Sequence, residues 1–102
     1  LQSSIFTPKC AIPGLGCHVS SQPAQGMDLS AGMTYVNTVN VGAVELSFKR
    51  VAPRNATDSY LYMKIADDPR ILQPWMPAVG GMLKPAEIDA VRAWIDAGAL
   101  NN

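Results

Sequence analysis

Cys10-Ala11-Ile12-Pro13-Gly14-Leu15-Gly16-Cys17-His18 is the stretch on which the reading of this chain turns. It contains both cysteines and the sole histidine of the 102 residues. A Cys-His pair preceded by a second nearby Cys follows the logic of c-type haem attachment: two thiols add to the vinyl groups, and the adjacent imidazole ligates iron. The usual motif has two residues between its cysteines; here there are six, with a Pro13-Gly14 turn among them. Two other readings of the same residues stand beside it. A Cys10–Cys17 disulfide would suit an exported chain and contribute a few kcal/mol at most through so short a loop. A structural zinc site needs about four ligands, and one His with two Cys do not supply them.

Outward from this stretch, composition bounds the rest. A chain of 102 residues, 48% of them apolar, makes one small domain over 1–102 with a core of modest size. Small cores are commonly reinforced by a disulfide, a metal or a cofactor. Eight basic and eight acidic residues cancel, which argues against nucleic acid or an anionic membrane surface as partner. No apolar run approaches the roughly 18 residues of a membrane span. The chain opens on Leu1 rather than Met, as a processed product does, so a signal peptide is expected to have been removed. Eight prolines and eight glycines predict short elements and long loops.

Four helical segments are expected. The first covers 3–11, with Ile5, Phe6 and Lys9 at helical spacing. The second runs over about 29–41, capped by Asp28 or Ser30, with Met33, Val36 and Val39 on one face. A short extended piece, Val44-Glu45-Leu46-Ser47-Phe48, alternates apolar and polar residues. The third helix starts from a Thr57 or Asp58 cap, carries Tyr60, Leu61, Lys64 and Ile65, and is stopped by Asp67-Asp68-Pro69. A long loop then holds Pro74, Pro77 and Gly80-Gly81. The fourth helix opens at Lys84-Pro85, with Glu87 in its first turn. Its stripe of Ile88, Val91, Trp94 and Ile95 faces the core, and Gly98 ends it. Trp94 is expected on Phe6 where the terminal helices cross.

An electron-transfer haem needs a second axial ligand, usually Met or His. With His18 the only histidine, Met is the candidate, and five are present. Met33 and Met63 sit in helical patterns where packing explains them. Met76, within Pro74-Trp75-Met76-Pro77, lies in a loop that two prolines stiffen; Met82, after two glycines, is the runner-up. Arg50 reads on its own as a solvated charge, and Asn55-Ala56-Thr57 fits a glycosylation pattern that is common by chance.

Further stretches complete the pattern: Ile5-Phe6-Thr7-Pro8-Lys9-Cys10-Ala11, Gly16-Cys17-His18, Met27-Asp28-Leu29, Val39-Asn40-Val41, Arg50-Val51, Ser59-Tyr60-Leu61, Met76-Pro77, Gly80-Gly81 and Ile88 through Trp94-Ile95-Asp96-Ala97-Gly98-Ala99. In this order the chain resembles the small monohaem cytochrome c domains of the planctomycete type over nearly its whole length. The resemblance implies a mostly α, cytochrome c-like single domain, its terminal helices crossing and its long loops wrapping one haem c. It also implies thioether links from Cys10 and Cys17, a proximal His18 and a distal Met76. Arg50 would approach a haem propionate, and Tyr60 would lie near the haem edge. The four extra residues between the cysteines depart from the family and leave open whether Cys10 is linked. Apolar walls would come from Leu29, Met33, Val36, Leu61, Ile65, Leu72 and Val79.

The implied function is one-electron transfer in the periplasm or another extracytoplasmic space, by a carrier rather than an enzyme, with weak, transient docking to redox partners. Two other classes compete: a haem-based sensor or electron-entry module of a larger enzyme, and a haem-free module closed by a disulfide.

Overall fold

A computed structural model of the chain describes residues 1–12, 17–19, 23–43, 47–71, 75–77 and 81–100. Its regular elements are helical: a π-helix Gln2–Cys10, α1 (Thr34–Thr38), α2 (Tyr60–Ile65) and α3 (Pro85–Asp96), with 3-10 turns at Ala24–Gly26 and Ala56–Asp58. The mostly α expectation holds at this level. Among the described residues extended pairing is limited to isolated bridges, Val39 with Val51, Gly42 with Lys49 and Lys49 with Ser59. Of the expected extended piece, Val44–Leu46 lie outside the described residues. On either side of them, Ala43 N–H donates to the Phe48 carbonyl at 2.8 Å.

The first helix has nearly its expected span, but its winding is wider. Pro8 lies inside it, has no N–H to give and crowds the carbonyl one turn back. The helix takes π-type bonds instead: Phe6 N–H reaches the Leu1 carbonyl and Ala11 N–H the Phe6 carbonyl. One face buries Ile5, Phe6 and Cys10.

The second helix corrects the sequence reading. It is five residues long, and its buried side chains are Thr34 and Thr38. Met33 and Val36, expected on the core face, are 40% and 62% exposed. Gly32 at φ +83° breaks the winding, so no helix can start near Leu29. The threonines can go inside because their hydroxyls are partnered: Thr38 Oγ1 donates to the Thr34 carbonyl at 2.8 Å, and Thr34 Oγ1 to Gln2 Oε1 at 2.5 Å. Asp28 does not cap this helix; its carboxylate accepts from Ser30 N–H and Oγ in a local turn.

Neither Thr57 nor Asp58 caps α2. Ser59 precedes it, and Ser59 Oγ is engaged with Ala52 and Asn55 instead. Asn55 Oδ1 accepts from Asp58 N–H in the 3-10 turn before the helix. The stop is as expected: Asp67 turns left-handed at φ +53°, and Asp68 N–H bonds the Met63 carbonyl.

The last helix is the one the sequence describes best. Pro85 takes its first position, and Glu87 Oε1 accepts from Lys84 N–H at 2.9 Å. Val91 and Ile95 are fully buried, Ile88 and Trp94 half-buried. Gly98, at φ +117°, follows its end. The two terminal helices meet as expected, through the edge-on rings of Phe6 and Trp94 (6.2 Å, 67°) and the ion pair of Lys9 with Glu87 at 2.5 Å. One core gathers Ile5, Phe6, Cys10, Leu29, Val51, Leu61, Ile65, Leu83, Val91 and Ile95. Of the expected walls, Leu29, Leu61 and Ile65 are buried, while Leu72 and Val79 lie outside the described residues.

Candidate cofactor site

Cys10 closes the N-terminal helix, and its carbonyl accepts the His18 N–H at 3.0 Å. This bond draws the two ends of the six-residue spacer together, so wide spacing in sequence becomes adjacency in space. The Pro13-Gly14 turn itself falls outside the described residues. Cys10 is buried and Cys17 half-buried, and no disulfide joins them. Burial pushes the Cys10 thiol up to about 11, with the nearby Cys17 and Glu87 adding to the effect and Lys9 opposing it.

His18 is held at three points. Its N–H goes to Cys10, its carbonyl accepts from Leu29 N–H at 2.7 Å, and its ring Nδ1 lies 2.9 Å from the Met27 carbonyl. A carbonyl can only accept, so Nδ1 carries the proton and the other ring nitrogen, Nε2, has its lone pair in the ring plane. That is the tautomer of a histidine metal ligand whose far nitrogen is fixed by a second partner. With 6% of its surface exposed, His18 is kept neutral mainly by burial. The Met27 and Ala24 carbonyls pull the other way, while the positive charges of Arg50 and Lys64 reinforce it.

Arg50 is not the solvated charge its type suggests. It is 9% exposed, and its guanidinium donates to the carbonyls of Asn37 (2.7 Å) and Gln25 (2.8 Å). Burial lowers its pKa. Gln25 sits at φ +55°, so one of these bonds steadies a left-handed turn just before Met27. Tyr60 is buried at the start of α2, its N–H on the Lys49 carbonyl, and the next residue, Leu61, donates to the Arg50 carbonyl.

Met76 is half-buried against the core and is anchored by its N–H on the Lys64 carbonyl at 3.0 Å; its bond to Pro77 is cis. Met82 and Trp75 are exposed, Met63 is wholly buried, and Met33, expected in the core, is at the surface. Backbone bonds thus bring Cys10, Cys17 and His18 together. Arg50 and Lys64 lie within electrostatic reach of that imidazole, and Met76 is tied to Lys64.

Among the described residues no three His, Cys, Asp or Glu side chains converge as a metal cage. The donors on offer are one oriented imidazole, two thiols and a thioether. By chemical type these are the donors a haem of c type takes, thiols for the macrocycle and imidazole and thioether for iron. The residues that sequence reasoning missed are Met27, Gln25, Asn37 and Lys64. They act through backbone carbonyls, which every residue type has, so no sequence signal marks them. The chain matches no family model, no curated protein and no solved structure.

Proposed function

We propose that this chain is a small c-type cytochrome that carries single electrons between partner proteins. The observation behind the reading is the His18 ring, buried and locked by the Met27 carbonyl, on a residue that follows Cys17 and whose N–H bonds the Cys10 carbonyl. Cys17, and Cys10 through the bond that closes the spacer, would form the thioether links. His18 and Met76 would be the axial ligands, Arg50 would face a propionate and Tyr60 the haem edge. When bound, the haem supplies one iron that gains and loses an electron.

The chain's own residues do the rest. Met27 keeps the imidazole oriented through the redox change. Lys64 holds the backbone of Met76. Leu29, Leu61 and Ile65 exclude water, which together with thioether ligation favours the ferrous state. No bond in a substrate is made or broken, so the protein acts as a carrier rather than an enzyme. Its place would be the periplasm or another extracytoplasmic compartment, and its encounters with partners would be small and short-lived.

The test is intact mass under denaturing, reducing conditions with a pyridine haemochrome spectrum of the same sample. Retained haem with both vinyls saturated supports attachment through both cysteines. Retained haem with one vinyl left supports a single link, which we assign to Cys17 and which a peptide map of the haem-bearing fragment would locate. A colourless chain from a host competent in haem attachment overturns the reading.

A further inference from the structure

Arg70, though exposed, ties together several parts of the chain. Its Nε and Nη2 grip Asp68 at 3.0 and 3.1 Å, and its Nη1 reaches Asp58 at 3.0 Å. Nη2 also donates to the Thr57 carbonyl at 2.6 Å, and the guanidinium lies 5.3 Å from the centre of the Phe48 ring. By contrast, Arg92 pairs with Asp96 one turn along its own helix, at 3.5 Å, and lies over Tyr62. A planar guanidinium suits this work, since its fork of donors fixes several acceptors in one geometry.

The location of the clamp gives it meaning. Residues 57–58 precede α2, and Arg70 opens the loop that follows it. Asp68 also accepts from the Arg70 N–H at 2.9 Å and, through its carbonyl, from Ile71 N–H at 3.2 Å. Six residues past the clamp, Met76 is fastened to Lys64 at the far end of α2. Arg70 is thus tied to the 3-10 turn that leads into α2, and Met76 to the last turn of α2 itself.

We propose that Arg70 is the positioning residue for Met76: its clamp on Asp58, Asp68 and Thr57 fixes the base of the loop and so keeps the thioether in place. This rests on Met76 being the axial ligand, but its first readout does not. Amide exchange at Met76 reports its bond to Lys64 whether or not haem is present. In Arg70→Ala the Met76 amide should exchange at least tenfold faster, while amides of α3 keep their wild-type rates. Arg70→Lys, which retains charge without the fork, should recover part of the loss, and Asp58→Asn should give a smaller acceleration.

In the haem-bearing protein, Arg70→Ala should also weaken the sulfur-to-iron charge-transfer absorption of the ferric form. Unchanged Met76 exchange overturns the proposal. So does parallel acceleration of Met76 and α3, which would make Arg70 a contributor to general stability. Faster exchange with an unaltered charge-transfer band in the loaded protein overturns it too. A colourless chain removes the reading of the previous section, and the Met76 amide still decides the clamp.

Discussion

Arg50 takes a full positive charge into a nearly dry position and meets two backbone carbonyls there. Replacing it with Met keeps the length and removes both donors. The Asn37 and Gln25 carbonyls would then be unsatisfied, at about 1–3 kcal/mol each, against relief from no longer burying a cation. A net loss of about 2 kcal/mol is expected, read as a lower denaturant midpoint at unchanged slope. Cys10 makes a second case. If Cys17 alone can hold the haem, Cys10→Ala retains the colour, and the pyridine haemochrome moves to the red because one vinyl stays conjugated. A colourless Cys10→Ala would mean that both thiols are required. Met76→His would exchange thioether for imidazole and should lower the reduction potential by the order of 0.1 V, within the roughly 0.8 V span that axial ligands command. The side chains of this site were legible in the sequence because thiol, imidazole and thioether are rare and chemically specific. Their supports were not, because the Met27 and Lys64 carbonyls carry no residue-type signal.

Among the elements, α3 shows why some helices can be read and others cannot. Pro85, Glu87 and an apolar stripe at spacings of three and four all mark the same helix, so local and tertiary preferences agree. Residues 29–41 have a similar apolar rhythm, but the left-handed Gly32 overrides it, and the buried face is a pair of hydroxyls bonded to neighbours. A hydropathy pattern does not register satisfied threonines. The wide winding of the first helix was hidden for another reason: Pro8 changes which carbonyl each amide reaches, which spacing alone does not show. The α3 packing leads to a direct test. Ile95 is fully buried, and Ile95→Ala should cost about 2–5 kcal/mol. In a domain of this size that lowers Tm by roughly 10–25 °C. Glu87 gives the same helix a pH dependence. Its bonds to Lys9 first, and then to Lys84 N–H, depress its pKa below the usual carboxylate value. A depressed acid stabilises the fold above its unfolded pKa and loses that contribution as pH falls through the folded value. Glu87→Gln keeps an acceptor for Lys84 but gives up the carboxylate's bond to Lys9, so the variant should be less stable at neutral pH, converge with the parent protein in acid, and show a flatter acid limb in a denaturant series run against pH.

For the whole molecule, charge sets how it meets a partner. Eight cations balance eight anions, and several neutralise one another in place, as Lys9 with Glu87, Arg70 with Asp58 and Asp68, and Arg92 with Asp96. Two copies of such a molecule neither attract nor repel strongly at a distance, and local fields such as that of Arg50 on His18 act only at short range. If the chain carries the proposed haem, electron self-exchange isolates this property because it needs no second protein. Between about 0.01 M and about 0.5 M salt the Debye length shrinks from roughly 30 Å to a few Å, yet the self-exchange rate should change by less than about threefold. Line broadening in mixtures of oxidised and reduced protein would measure it. A steep rise with salt would mean that the positive charges near His18, rather than the balanced total, govern the approach of one haem edge to another.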